Sequence, residues 1–230
     1  MKNIWFHGGG YACMWSFGVA QAFKESNIMF NNIGGYSAGS LVATFMANPN
    51  ANVKDVLTSC YDSPYGPNKG RFTLLGKHQR NLAYMGENAA GNPLDWNSGA
   101  NFNNKLWIPI RGLKSLKGSW RYKYRSYDDL ISCLVSTNCI PGVSGEFSNC
   151  YYDNDGDRYG PTIDGGLFSY NPPKSWISET IVVSPWGKGG LNMNPPAKLV
   201  DIAIPKYNIL KSYYENGFKE GLRYINNYKL

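Results

Sequence analysis

A serine between two closely spaced glycines follows an apolar strand and precedes an apolar helix, and this feature constrains the chain most. Residues 35–39 are Gly-Tyr-Ser-Ala-Gly, and the helical pattern runs from Leu41 to Ala47. A strand that turns this sharply into a helix leaves the serine strained, with its hydroxyl exposed at the carboxyl edge of a sheet. Gly35 and Gly39 avoid a collision across the turn. We therefore predict that Ser37 is a nucleophile; the alternative is a glycine turn with an idle serine.

A second glycine cluster follows the first strand of the chain. Asn3–Phe6 is a short apolar β pattern, Gly8, Gly9 and Gly10 come next, and helical periodicity begins at Tyr11. Glycines let backbone amides turn toward an anionic oxygen, and the following helix N-terminus adds partial positive charge. With a nucleophilic serine nearby, these three glycines predict an oxyanion hole.

Nucleotide-binding alternatives fit the same glycines poorly. The sixth position of a dinucleotide fingerprint is a glycine, but here it is Cys13, and no acidic residue ends a second strand at the expected distance. A phosphate-binding Walker A loop needs a Gly-Lys-Ser/Thr that does not follow. Both alternatives are therefore set aside.

The order of elements predicts one α/β domain. Strand, glycine loop, helix, strand, turn and helix in succession require a largely parallel sheet. Later elements are a helix beginning at Ser126, a strand ending at Thr162–Ile163, an apolar β run at Thr180–Ser184 and an amphipathic helix from about Tyr207 to Tyr224. We predict a single domain over residues 1–230 with a three-layer α/β/α fold and a mixed, mainly parallel central sheet.

A nucleophilic serine needs a base, and the usual order of serine, acidic residue and histidine cannot occur here. The chain has two histidines, His7 and His78, and both precede the later acidic candidates. His7 lies beside the oxyanion glycines and could approach Ser37, although such a residue more often shapes the end of its strand. His78 lies in a polar, solvated loop.

A carboxylate remains as the candidate base. Asp164 follows a short strand, and Gly165 and Gly166 come directly after it, which permits close approach to another segment. Partial burial would raise its pKa above the ordinary value of about 3.9 and make it a better base. The alternative is an aspartate that caps its own turn. The residues alone leave both open.

Taken together, these three elements resemble the patatin-like phospholipase family. That family has a glycine-rich oxyanion loop near the N-terminus, a G-x-S-x-G turn shortly after it, and Asp-Gly-Gly or Asp-Gly-Ala far downstream. The resemblance is closest to its animal adipose triglyceride lipase and adiponutrin branch. It extends over nearly the whole chain, through residues 8–19, 36–40, 128–131, 139–141, 171–173, 183–186 and 218–223.

The resemblance implies a Ser-Asp dyad that works without histidine. Ser37 would be the nucleophile and Asp164 the base, with Gly8–Gly10 and the Ala38 amide as the oxyanion hole. It implies hydrolysis of carboxylic esters in phospholipids or neutral glycerolipids, with no metal or organic cofactor. The alternative is a lipid-binding or scaffolding protein on the same fold with little turnover. Cys13 departs from the family's last loop glycine.

Charge favours contact with an anionic surface. The formal net charge is +7, and residues 105–125 hold seven Lys or Arg, four aromatic residues and no acidic residue. Such a segment suits the interface of an anionic membrane. It would also suit RNA, or be a solvated loop whose aromatics are core. With the resemblance, we predict lipid-surface contact and no nucleic-acid partner.

The polar residues Lys24 and Glu25 predict that the first helix ends in solvent.

Targeting and metal signals are weak. Five irregularly spaced cysteines favour reduced thiols in an intracellular setting. No apolar run reaches the roughly 18 residues of a bilayer span, and glycines interrupt the apolar N-terminus. We predict a cytoplasmic or peripheral membrane protein without signal peptide or transmembrane helix. The sequence ends at Leu230 without the C-terminal extension of the animal enzymes, so droplet targeting that depends on it is not expected. In residues 153–157 the glycine is misplaced for a calcium loop, so we predict a tight turn.

Overall fold

The structure, a computed structural model, describes residues 2–62, 85–91, 102–112, 118–140, 151–152, 158–159, 162–168, 171–187, 190–194, 196–198 and 206–230. The strands among them are β1 (Asn3–Phe6), β2 (Ile33–Gly35), β3 (Leu106–Gly112), β4 (Gly118–Arg121), β5 (Tyr151–Tyr152), β6 (Arg158–Tyr159), β7 (Thr162–Ile163), β8 (Thr180–Ser184) and β9 (Leu191–Asn192). The α-helices are α1 (Cys13–Glu25), α2 (Ala38–Ala47), α3 (Val53–Asp62), α4 (85–90), α5 (Tyr127–Thr137) and α6 (Tyr207–Tyr228).

The central sheet is mixed and mainly parallel. Its strand order is β4-β3-β2-β1-β8-β9, and β7 pairs with β3 beside this path, which makes seven strands. The pairs that join β3, β2, β1, β8 and β9 are parallel, whereas β4 and β7 run antiparallel to β3. With its flanking helices, this sheet confirms the predicted three-layer α/β/α class. Because β1 and β2 are parallel neighbours, the glycine loop and the serine turn meet at one sheet edge.

Most predicted elements are found, with corrections at two helix ends. β1, β7 and β8 have the predicted bounds. α2 begins at Ala38 rather than Leu41, because Ser37 itself is the N-cap residue. α6 continues to Tyr228, beyond the predicted end near Tyr224. The first difference matters for the site, since it brings the helix N-terminus directly to the serine.

The two faces of the sheet differ in what covers them. Ile4 and Phe6 point into the main hydrophobic cluster, which also contains residues of α1, α2, α5 and α6. Trp5, between them, points to the opposite face. There its ring centroid lies 5.4 Å from that of Trp120 and 6.3 Å from that of Trp176. One face therefore packs on α-helices, and the other carries an aromatic layer that includes Trp176 of the 3-10 helix Lys174–Glu179.

Among the described residues, no helix is both long and apolar enough to cross a bilayer. Cys13, Cys60, Cys133 and Cys139 are buried and are not joined in disulfides. Cys150 lies outside the described residues.

Helices α1 and α6 pack closely because each has a glycine at their crossing. A Cβ atom built on Gly18 would overlap the Tyr214 carbonyl oxygen, and one built on Gly217 would overlap the Trp15 carbonyl oxygen. The obstacles are backbone atoms, which cannot move aside as a flexible side chain could. The C-terminal helix is thus held at a distance that only glycine permits.

Gly217→Ala is expected to destabilise the protein by about 2 kcal/mol. The overlap with the Trp15 carbonyl costs about 3 kcal/mol, and alanine regains about 1 kcal/mol of helix propensity. Thermal unfolding should show a drop of about 4–8 °C in Tm. Gly190→Ala is the matched control, since its Cβ would meet nothing closer than 3.7 Å. Equal Tm values for the two variants would contradict the close helix crossing.

Lys24 corrects one expectation. The sequence marked it as part of a solvated helix end, but its side chain is half-buried, and burial lowers its pKa to about 8. Its Nζ lies 4.3 Å from the Phe45 ring centroid. The ammonium donates to the carbonyl oxygens of Phe45 (3.3 Å), Asn48 (2.7 Å) and Ala51 (3.1 Å). The end of α2 leaves carbonyls without helical partners, and a cation satisfies them.

Candidate active site

The turn after β2 holds Ser37 in a strained conformation. Its φ is +51° and its ψ is −139°, a region that residues with a Cβ rarely adopt. The turn is fixed by hydrogen bonds from the Gly39 amide to the Tyr36 carbonyl and from the Ser40 amide to the Ser37 carbonyl, both 2.9 Å. A Cβ on Gly35 would lie 2.5 Å from the Gly39 carbonyl oxygen, so the tight turn requires glycine there.

The structure brings Ser37 and Asp164 together from positions 127 residues apart. The Ser37 Oγ donates to the Asp164 Oδ2 at 2.5 Å. The Gly166 amide donates to the other carboxylate oxygen at 2.7 Å, and the Asp164 amide donates to the Cys139 carbonyl at 2.5 Å. Both carboxylate oxygens therefore have partners, and the backbone of the aspartate is anchored to the chain that follows α5.

Burial sets the basicity of this carboxylate. Asp164 is only 4% exposed. Burial raises its pKa to about 6, although the hydrogen bonds from Ser37 and Gly166 act in the opposite direction. At neutral pH such a group is still mostly ionised, yet it accepts a proton more readily than an ordinary aspartate does. This is the property that a general base next to a serine hydroxyl requires.

The glycine loop lies directly against the serine. A Cβ on Gly8 would be 2.6 Å from the Ser37 Cβ. Gly10 has a φ of +51° and begins a 3-10 turn that leads into α1. Ala38 is the first residue of α2, where amides have no partner within the helix. The N-terminal end of α2, which carries partial positive charge, thus begins at the serine, and the glycine loop that leads into α1 packs against it.

Tyr36 belongs to the site, although no role for it was predicted from the sequence. A Cβ on Gly166 would lie 2.6 Å from its ring, and one on Gly8 would lie 3.0 Å from it. Burial and the Asp164 charge raise the pKa of the tyrosine to about 12, so its hydroxyl stays protonated. The ring therefore lies between the two glycine motifs. The sequence signal for a place at the site was the position of Tyr36 within the turn at residues 35–39.

His7 lies on the β8 side of the site. Its Nδ1 is 3.2 Å from the Ser184 Oγ, and its ring centroid is 5.4 Å from that of Tyr36. Burial lowers its pKa, so the imidazole is mainly neutral near pH 7. These contacts favour the expectation that it shapes the strand end rather than serving Ser37. His78 lies outside the described residues.

Trp186, just after β8, also contacts the loop. Its Nε1 donates to the Gly8 carbonyl oxygen at 2.7 Å. The sequence marked residues 183–186 as part of the family resemblance but gave them no task. A tryptophan that follows a buried strand beside a glycine loop was the available signal.

The aromatic residues of the basic segment 105–125 pack within the protein. Trp107 stacks on Tyr122 with 4.3 Å between ring centroids, and Tyr124 is buried, with its hydroxyl 3.2 Å from the Leu106 carbonyl. Their side chains are thus largely occupied, whereas those of Lys123 and Arg125 are exposed.

Two further sequence predictions concern segments that the structure does not describe. Residues 113–117 and the aspartate-rich turn at 153–157 lie outside the described residues. Within the part of the chain that the structure describes, no three His, Cys, Asp or Glu side chains form a group that could hold a metal ion.

Comparison with known proteins identifies the family. The family model for patatin-like phospholipases matches residues 4–175, which include the glycine loop, the serine turn and Asp164. The chain therefore belongs to the patatin-like phospholipase family.

No curated protein matches the chain. Among solved structures, VipD from Legionella pneumophila is similar, with a TM-score of 0.41 and 12% sequence identity. The match covers 80% of this chain and 49% of the VipD chain, so this chain spans about half the length of VipD.

Proposed function

We propose that this protein is a serine carboxylic ester hydrolase that cleaves acyl esters of phospholipids or neutral glycerolipids, with Ser37 as nucleophile and Asp164 as base. The observation that carries the proposal is the 2.5 Å hydrogen bond from a strained serine hydroxyl to a buried carboxylate. The family supplies the lipid class of substrate.

The geometry suits a two-step acyl transfer. As the Ser37 Oγ attacks the ester carbonyl carbon, Asp164 takes the hydroxyl proton, and the carbonyl oxygen becomes an oxyanion facing the amides of Gly8–Gly10 and Ala38. Collapse of this intermediate breaks the bond to the alcohol, which leaves with the proton from Asp164. Water then attacks the acyl-enzyme with Asp164 again as base, which releases the fatty acid and restores the serine.

Labelling with a fluorophosphonate probe, together with hydrolysis of a short-chain nitrophenyl ester, tests the proposal. We expect one covalent adduct per chain, on Ser37, and loss of ester turnover in proportion to labelling. Ser132→Ala is the matched control, because Ser132 is an exposed serine of α5 and should leave labelling unchanged. A wild-type protein that binds lipid vesicles but neither labels nor hydrolyses any ester would instead be the lipid-binding or scaffolding alternative.

Three finer features are proposed with it. The animal adipose triglyceride lipase and adiponutrin branch rests on the sequence segments given above. A single domain over residues 1–230 is supported by one hydrophobic cluster that extends from Ile4 to Ile225. Contact with a lipid surface through residues 105–125 is supported by the exposed charges of Lys123 and Arg125, which would attract anionic headgroups.

A further inference from the structure

We propose that Trp186 is a positioning residue, whose indole N–H fixes the Gly8–Gly9 peptide so that the Gly9 amide faces the oxyanion. The inference rests on the proposed function, since an oxyanion forms only if Ser37 attacks an ester. It assigns a task in the reaction to a residue that lies well outside the three sequence motifs.

The hydrogen bond from Trp186 determines the orientation of one peptide plane. The indole Nε1 donates to the Gly8 carbonyl oxygen at 2.7 Å. In a planar trans peptide, the carbonyl of one residue and the N–H of the next point in opposite directions. Holding the Gly8 oxygen toward Trp186 therefore directs the Gly9 N–H away from it. A peptide between two glycines has wide rotational freedom, so without this bond its orientation is weakly determined.

The loop position makes this orientation matter. The Gly8 Cα lies so close to Ser37 that an added Cβ would be 2.6 Å from the serine Cβ. The Gly8 backbone also forms a hydrogen bond with the Tyr36 hydroxyl. The next amide along the loop, that of Gly9, is therefore the donor whose direction the tryptophan sets.

The tryptophan is itself held in place by the end of β8. Its backbone amide donates to the Ser184 Oγ at 3.3 Å, and that oxygen is also 3.2 Å from the His7 Nδ1. The Ala197 amide donates to the Pro185 carbonyl at 3.1 Å. A Cβ on Gly9 would lie 2.7 Å from the Pro185 Cγ. Pro185 therefore packs against the glycine loop, and the Trp186 indole donates a hydrogen bond to that loop.

A packing role alone does not explain this residue. Trp5 and Trp15 are completely buried, whereas Trp186 is only partly buried. Water could satisfy a loop carbonyl at such a site, so the direct bond adds little to polar satisfaction. What the indole provides is a fixed direction, and hydrogen-bond donors that are oriented before the reaction contribute more to catalysis than donors that must reorganise.

The test is Trp186→Phe, which keeps a ring and removes the donor. We expect kcat for a nitrophenyl ester to fall about tenfold with KM nearly unchanged, because the oxyanion exists only beyond the ground state. This is less than the roughly 10²–10³-fold loss on deleting an oxyanion-hole donor outright. Inhibition by a trifluoromethyl ketone, which forms a tetrahedral adduct with the serine, should weaken by a similar factor. Trp176→Phe, at a buried tryptophan of the aromatic layer away from the glycine loop, should change neither value.

The possible results separate the inference from the function on which it rests. If Trp186→Phe keeps wild-type kcat and ketone inhibition while Ser37→Ala is inactive, the inference is overturned and the hydrolase stands. If Trp186→Phe raises KM as much as it lowers kcat, or if its loss of activity only parallels a loss of Tm, the role is only structural and the inference is again overturned. A wild-type protein without labelling or turnover overturns the proposed function itself.

Discussion

Ser37→Ala is expected to lower kcat for ester hydrolysis by roughly 10⁴- to 10⁶-fold, which is the scale of loss when a serine nucleophile is removed. The alanine cannot form the acyl-enzyme, and the buried carboxylate of Asp164 loses the hydroxyl that donates a hydrogen bond to it. Steady-state kinetics with a nitrophenyl ester and a lipid substrate measure the loss. A variant that keeps more than about a tenth of wild-type turnover would show that another group attacks the ester.

Ser37→Gly is the companion variant, because it separates chemistry from backbone strain. Both variants lack the hydroxyl and should be equally inactive. Only glycine relieves the positive φ of +51°, so the glycine variant should be more stable than the alanine variant by about 1–2 kcal/mol. Unfolding in urea compares the two. Equal stabilities would show that the turn stores no strain at this residue.

Asp164→Asn is expected to lower kcat/KM by about 10³- to 10⁴-fold, since the amide cannot accept the serine proton. In the wild-type protein the pKa of about 6 should appear in the pH profile. The base must be ionised to act, so log kcat/KM should rise with unit slope up to about pH 6 and then level off. A profile that is flat from pH 4.5 to 8 would exclude this carboxylate as the base.

The same substitution should alter how stability depends on pH. The folded pKa of about 6 lies above the ordinary value of 3.8, so the unfolded chain loses this proton first as pH rises. Wild-type stability should therefore fall between about pH 4 and 6, by about 3 kcal/mol for two pKa units. The asparagine variant cannot ionise and should lack this component. Urea titrations at pH 4 and pH 7 compare the two proteins; parallel pH dependence would contradict the raised pKa.

Local patterns predicted the elements whose formation depends on neighbouring residues. The apolar runs of β1 and β8 have the predicted bounds, and Ser126 caps α5 by accepting the Asp129 amide at 3.1 Å. Glycines flanking a serine were enough to predict a turn between strand and helix. The sequence predicted a mixed, mainly parallel sheet but not its strand order, because which strands pair depends on contacts between distant segments.

What the sequence could not provide are contacts across the fold. Lys24 lies in the last turn of α1, at an end that looks polar in the sequence, and only the position of α2 shows that its ammonium meets three carbonyls. The contacts of Trp186 and Tyr36 depend on which backbone they face, and their positions in the sequence do not show it. The roles of Ser37 and Asp164 stay predictions; the structure adds their proximity and the burial that makes the carboxylate more basic.

The Tyr36 ring has a consequence for how such a site can vary. One side chain faces the glycine loop at Gly8 and the aspartate motif at Gly166, so it limits the size of the residue at both places. Positions 8, 36 and 166, far apart along the chain, are therefore expected to change as a set. A smaller residue at position 36 would free space beside both motifs. A larger residue at position 8 or 166 would require such a smaller residue at position 36.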